Sequence, residues 1–511
     1  MGFCRVPECT IAERSAARMM GMLRFMSLTT ATQLCLVINQ LALLPLQLRV
    51  WGHDATAQWF VVIAVGNLAT MADLGLRNAG HGQLLSSVET GDAAAALEFR
   101  QIWALTRALF IGLTTALLAA QILAALHSGM AFSLWVWTVT VSLALDTAII
   151  VRGIWLETLG YLNKVEGVFL AMAASRVLIC IAALIAFRAS PSVLGWIMLA
   201  TAVGATLAQA RILRNPNSLG LLRGGFGDLR WRSLRVVRFV VAEPAVSWVR
   251  LSLPVVVLAT VSTPLMVTTY VALRAVFGLA RQVIIQLARY ASVGYVQCVD
   301  GDRLAAERFV IRSLLISTIV GVAVSSATIA DRGRLLSFWL TASDPATVSL
   351  VALSFAIGAT AYGYQVIAGV LIRSGQVVSV AKRQYAYLFA SGMGAAATLL
   401  SGSAALYLVL LGSLELMIAA LFVPALGVRV LRASVAAFVA AASSLGLLCA
   451  AVELDPGKLF STVTPAAIAA SLALAALTTI FALAACLFVA SSPLRRLRSL
   501  SSLWRISNVN S

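Results

Sequence analysis

The chain has 511 residues, of which 60% are hydrophobic and only 11% charged, with 38 Lys and Arg against 20 Asp and Glu for a net charge of +18. Soluble domains carry about 25% charged residues, so no soluble fold covers this much apolar surface, and lipid must be the solvent for most of it. The positive balance does not point to nucleic acid, because the basic residues sit between apolar blocks instead of interleaving with aromatics on a polar surface.

A bilayer core takes about 20 apolar residues per helix. The hydropathy pattern therefore predicts an all-α polytopic membrane helix bundle of about fourteen transmembrane helices, near 25–48, 57–76, 101–126, 132–156, 165–187, 192–213, 239–261, 264–288, 309–330, 346–372, 382–400, 402–427, 434–453 and 465–490. The first block is too long for a signal-peptide core and reads as a retained helix. The break around Ser401-Gly402-Ser403 is the least marked. The organisation follows: a cytoplasmic segment 1–24, an N-lobe of six helices 25–213, a basic linker 214–238, a C-lobe of six helices 239–427, two further helices in 428–490, and a basic tail 491–511. Asn215-Pro216-Asn217 and Gly224-Gly225 mark turns in the linker.

The basic residues test this count. On one side of the membrane it places 28 of the 38, including Arg14 and Arg18, Arg77 and Arg100, Arg152 and Lys164, seven arginines of 211–238, Arg303 and Arg308, Lys382 and Arg383, and Arg495 and Arg496. Only five fall on the other side, Arg49, Arg188, Arg332, Arg334 and Lys458, and five lie inside helices. The rich side is the cytoplasm, which puts both termini there. Trp135 and Trp137 read as an interface belt.

Two short stretches, 90–94 and 300–304, each carry a Gly-Asp turn and enter a helix, 210 residues apart. The same offset aligns Gln33 with Glu243 and Gln40 with Arg250, so the halves run parallel as two pseudo-symmetric lobes. Parallel repeats about an axis normal to the membrane put a substrate site between lobes.

Polar residues inside the spans form stripes at helical spacing. Thr29, Gln33, Gln40 and Gln47 share one face, as do Gly66, Thr70, Asp73 and Arg77. Glu243, Ser247, Arg250 and Pro254 share another, followed by Tyr270, Arg274, Gly278 and Arg281, and then Gly358, Tyr362, Gln365 and Gly369. A buried Arg costs about 2.5–3.5 kcal/mol on insertion scales, so these faces line a wet cavity or pair inside the bundle. Asp146, Arg176 and Glu415 are lone mid-helix charges for which helix–helix pairing and substrate contact are both open. Asp73 and Glu243 are candidate proton or ion coupling sites, and Asp73 with Arg77 also has the spacing of a local salt bridge.

Enzyme signatures are sparse. His53, His81 and His127 are isolated, and the seven cysteines show neither a disulfide framework nor zinc spacing, so no metal or cofactor is expected. No G-x-x-x-x-G-K loop is present for ATP, and Asp300-Gly301-Asp302 sits in a short connection with no soluble domain around it. The basic stripes favour an anionic substrate over the cationic ones that an acidic, aromatic antiporter cavity would take.

The strings Arg49-Val50-Trp51-Gly52, Ala57-Gln58-Trp59-Phe60 and Ala72-Asp73-Leu74-Gly75-Leu76-Arg77-Asn78-Ala79 resemble the first two helices of bacterial polysaccharide flippases. These belong to the multidrug, oligosaccharidyl-lipid and polysaccharide exporter superfamily. Asp73, Gly75, Asn78 and Ala79 carry the most specific part, and the Gly-Asp turn before Arg308 and Arg312 also fits. The resemblance implies twelve or fourteen helices around a central cavity in the bacterial inner membrane. It implies an undecaprenyl-pyrophosphate-linked oligosaccharide as substrate and the polymerase and glycosyltransferases of a surface-polysaccharide pathway as partners. Arg250, Arg274 and Arg281 would then meet the pyrophosphate, with Tyr270, Gln33, Gln40, Tyr362 and Gln365 lining the cavity. A multidrug or metabolite antiporter of the same fold and a membrane-embedded glycosyltransferase or polymerase are the alternatives.

Overall fold

A computed structural model describes residues 11–68, 134–156, 161–212, 242–298, 303–330, 344–373 and 376–422, with scattered helical positions between 104 and 122. The linker at 214–238, most of the third predicted span, the last two spans, the tail and the Asp73–Ala79 motif lie outside the described residues. Every regular element among the described residues is helical. They are α1 (Ile11–Gly66), α2 (Leu134–Leu156), α3 (Leu162–Phe187), α4 (Pro191–Ile212), α5 (Ala242–Leu251), α6 (Leu253–Val261), α7 (Pro264–Cys298), α8 (Arg303–Ala330), α9 (Pro345–Ala361), α10 (Tyr364–Arg373), α11 (Val377–Ser401) and α12 (Ala404–Phe422).

Seven helical stretches are long and apolar enough to cross a membrane: Trp135–Gly153, Asn163–Phe187, Pro191–Ile212, Ala242–Val261, Pro264–Ile285, Ala306–Ser325 and Ala404–Phe422. An eighth is added if the pair Ala346–Ala359 and Tyr364–Ile372, bent by 42°, is one span. Each falls on a span predicted from hydropathy. The outward faces are apolar: Leu400 is 90% exposed, Phe187 82% and Phe389 72%. Such surface needs lipid as its solvent, and the chain is a multi-pass membrane protein.

The helices gather into two compact units, 1–276 with 334–343, and 277–333 with 344–511. The boundary between them falls inside α7.

In the first unit α1 packs on α3, α2 on α4, and α3 on α4. A straight helix of 56 residues would reach about 84 Å, far more than a bilayer core, and α1 is broken at Gly52. Its φ of 75° and ψ of −177° lie in a region essentially reserved for glycine. The predicted end of the first span and start of the second flank this break. Trp51 donates from Nε1 to the Ala189 carbonyl at 2.7 Å, tying the break to the turn between α3 and α4. In that turn Arg188 adopts a left-handed conformation and Pro191 opens the next helix. Trp59, 3% exposed, lies 5.4 Å from Trp51 and stacks on Trp135 at 5.8 Å. Trp135 is thus part of a packed aromatic cluster with Leu194 and Met198.

In the second unit α8 packs on α9, α9 on α12, and α11 on α12, while α10 touches α8, α11 and α12. The weakly marked break at Ser401-Gly402-Ser403 is a true helix end. Gly402 has φ 66° and its N–H bonds the Thr398 carbonyl at 2.8 Å. Gly412 admits the close approach of α9, since a Cβ there would stand 3.1 Å from the Ser354 carbonyl and from Ile357. The single predicted span 346–372 is two helices, parted at Tyr362-Gly363, where Gln365 N–H bonds the Tyr362 carbonyl at 3.1 Å.

Asp344 caps α9, accepting from the Thr347 hydroxyl at 2.6 Å and from the N–H groups of Thr347 at 3.0 Å and Ala346 at 3.3 Å. The Thr347 hydroxyl first, then the main-chain bonds, hold its carboxyl below the ordinary value against an opposing effect of burial.

Two outcomes are expected in thermal unfolding of the purified chain. Gly52→Ala forces a side chain into the glycine region and lowers stability by about 1–3 kcal/mol. Asp344→Ala removes the cap and costs about 1 kcal/mol near neutral pH. Because the folded pKa is depressed, this stabilisation is complete above the ordinary carboxylate value and is lost as pH falls through the folded value, below about pH 4. The gap between wild type and Asp344→Ala therefore closes in acid; a gap that stayed constant would remove the cap assignment.

Candidate functional site

The polar groups inside the spans divide by how their hydrogen bonds are met. Asp146 on α2 and Arg176 on α3 form a two-pronged ion pair, with Nη1 to Oδ2 at 2.6 Å and Nη2 to Oδ1 at 2.9 Å. Arg176 also donates from Nε to Thr201 Oγ1 at 3.1 Å and from Nη2 to the Met198 carbonyl at 3.2 Å, both on α4. The cluster pins three helices of the first unit at mid-span. Helix pairing is the role of these two charges in this structure.

Arg250 stands in the last turn of α5, and Tyr270 and Arg274 lie one turn apart near the start of α7. Tyr270 is 3% exposed. The Arg274 guanidinium donates through Nη1 to the Leu251 carbonyl, the last residue of α5. The chain breaks there: Ser252 separates α5 from α6 and Pro254 opens the second helix. Glu243 sits exposed in the first turn of α5, where its charge complements the helix dipole.

Arg281 on α7 belongs to the second unit, as do Tyr362 and Gln365. Arg281 Nε and Gln365 Nε2 are buried donors without an acceptor among the described residues. Tyr362 is buried at the α9–α10 break. Gln33 and Gln40 lie on α1, but their side chains, like Asp73, Gly75, Asn78 and Ala79, are outside the described residues.

Three features escaped the sequence reading. His53, just past the Gly52 break, meets Thr268 Oγ1 at 2.9 Å through Nδ1. Burial pushes its imidazole below the ordinary value, against the opposing charge of Asp54. Trp248 on α5 donates to the Ala64 carbonyl on α1 at 3.0 Å. Glu415, buried on α12, accepts from the Tyr387 hydroxyl at 3.3 Å, and Gly358 leaves room for its side chain. These partners are 215, 184 and 28 residues apart, a distance over which periodicity within one helix carries no signal. No cluster of metal-ligating side chains forms among the described residues.

No family model matches the chain, and no curated protein matches it. Six chains of solved structures match it, among them two transporters. One is the eukaryotic MATE transporter AtDTX14, 12% identical with a TM-score of 0.46, covering 82% of this chain and 100% of that one. The other is a MOP superfamily transporter from Pyrococcus furiosus, 11% identical with a TM-score of 0.40, covering 84% of this chain and 94% of that one.

Removing one partner of this partly buried ion pair leaves the other charge uncompensated inside the span, at up to about 3–5 kcal/mol. Asp146→Asn should therefore lower the unfolding midpoint in detergent strongly. The pair Asp146→Leu with Arg176→Met, which removes both charges, should recover most of the loss. A double variant no better than the single one would mean that the pair does not act as a unit.

Proposed function

We propose that this chain is a flippase. It moves an undecaprenyl-pyrophosphate-linked oligosaccharide, the repeat unit of a surface polysaccharide, across the bacterial inner membrane. The observation that carries the reading is the buried Arg281 Nε, an N–H in a membrane helix with no acceptor among the described residues. An N–H buried without an acceptor is costly, and a guanidinium is shaped to bind phosphate oxygens in pairs. The amide of Gln365, a second donor left open in the same unit, suits the hydroxyls and carbonyls of a glycan. The abundance of Arg over acidic residues in the stripes supports an anionic head group.

The prenyl tail stays in lipid while the head group is exposed first to one membrane face and then to the other. Outward movement of an anion runs down the membrane potential, worth about 2.3 kcal/mol per charge per 100 mV. In this reading both ends of the chain lie in the cytoplasm, on the side that holds 28 of the 38 basic residues. The polymerase and glycosyltransferases of the pathway are its functional neighbours.

Arg281→Gln in the full-length chain removes a charged hydrogen bond to phosphate, about 1.5–3 kcal/mol, so head-group affinity and export should fall about ten- to a hundredfold. The measurement is outer-leaflet lipid-linked sugar in cells matched for protein level. Unchanged export would sink the reading. Efflux of a cationic drug that Arg281→Gln improves would favour an antiporter, and new glycosidic bonds made by the purified chain would favour an enzyme.

A further inference from the structure

The break between α5 and α6 is a place where main-chain hydrogen bonding has to be repaired. In a continuous helix the N–H of residue 254 would bond the Arg250 carbonyl and that of residue 255 the Leu251 carbonyl. Pro254 has no N–H, and Val255 turns its own to the Ser252 carbonyl at 3.1 Å. Both carbonyls at the end of α5 thereby lose their helical donors, within a span of apolar helix where water is scarce. Arg274, reaching across from α7, donates its Nη1 to Leu251. Arg250 occupies the last turn of α5, next to the carbonyl so held.

We infer that Arg274 is a positioning residue and not a head-group ligand: its guanidinium takes the place of the Val255 N–H, which the Pro254 break turns away from the Leu251 carbonyl. It pins the end of α5 to α7 and thereby fixes the direction in which Arg250 is presented. The same stripe position read from sequence as a substrate contact is thus spent on the fold. The inference deepens the flippase reading, since the head group is what Arg250 would meet, but the pin itself stands on hydrogen bonding alone.

A double-mutant cycle separates the two. Arg274→Met removes the donor at nearly constant length; Arg274→Lys keeps a donor; Pro254→Ala restores the main-chain N–H and allows α5 to run on into α6. The full-length chain is purified in detergent and its unfolding midpoint measured. Arg274→Met should lower the midpoint by about 2–4 °C, Arg274→Lys should restore it, and in the Pro254→Ala background Arg274→Met should have little effect. An equal loss in both backgrounds overturns the pin.

Binding of inorganic pyrophosphate to the same proteins supplies the second readout. Arg274→Met should weaken it about tenfold through Arg250, and Arg274→Lys should leave it at the wild-type value. A Lys variant as poor as Met, with no coupling to Pro254, identifies Arg274 as a direct ligand and overturns the proposal. Coupling to Pro254 in a wild-type chain that binds no pyrophosphate supports the pin and removes the flippase reading.

Discussion

A guanidinium carries five N–H donors, and inside hydrocarbon none of them is answered by water. Where an arginine of a membrane span ends up is therefore decided by the acceptors that the fold can bring to it. Arg176 donates four bonds, two to Asp146 and two to α4. Arg383 spends its Nε on the Leu421 carbonyl near the end of α12, its Nη1 on Ser379, and its face on the ring of Phe422. Arg274 is committed to one carbonyl of α5. Arg281 keeps a buried N–H without an acceptor among the described residues. Arg176, Arg274 and Arg281 are alike in a hydropathy profile and differ in their partners.

The same constraint acts on the main chain. A proline or a glycine in a span frees carbonyls that lipid cannot satisfy, so each break has to be closed by something nearby. Gly52 falls between two predicted spans, and there Trp51 ties the break to the neighbouring turn. At Tyr362-Gly363 the closure is a pair of tightened bonds, Gln365 to Tyr362 at 3.1 Å and Val366 to Gly363 at 3.0 Å. At Ser252-Pro254 tightening serves Val255, and a side chain from another helix meets the Leu251 carbonyl. A break closed by its own backbone is self-sufficient. One closed by a distant arginine is tied to the position of the helix that supplies it.

The helices were legible because hydropathy is a local property. The predicted spans at 132–156, 165–187 and 192–213 meet α2, α3 and α4 within a few residues. Even the faint break at Ser401-Gly402-Ser403 ends a helix, because glycine at that point takes the left-handed cap. Pro254 was visible too, but as a position on a polar face; its consequence for the carbonyls of Arg250 and Leu251 needs the helix geometry and the neighbour. The pairing of Asp146 with Arg176 was not legible beyond the statement that two mid-helix charges need partners. Which helices become neighbours is a property of packing, and no periodicity within α2 or α3 encodes it. The family motif around Asp73 and the side chains of Gln33 and Gln40 lie outside the described residues, so that part of the candidate site rests on sequence alone.

Position along a helix also sets how much charge an arginine has to offer. The C-terminal end of a helix carries roughly half a negative charge from its unpaired carbonyls. Arg250 lies in the last turn of α5, and Arg274 donates to the terminal carbonyl of that helix, so both sit in its field. Part of their attraction for an anion is already offset, which lowers the desolvation penalty of holding them in the span and also lowers their pull on a pyrophosphate. Arg281 stands in the interior of the 35-residue α7, away from either terminus, so the end field of its own helix does not offset it. An arginine of that kind is expensive to keep in a membrane and strong when an anion arrives. In the proposed flippase, that combination, with a buried donor left without an acceptor among the described residues, would suit a transient anionic head group.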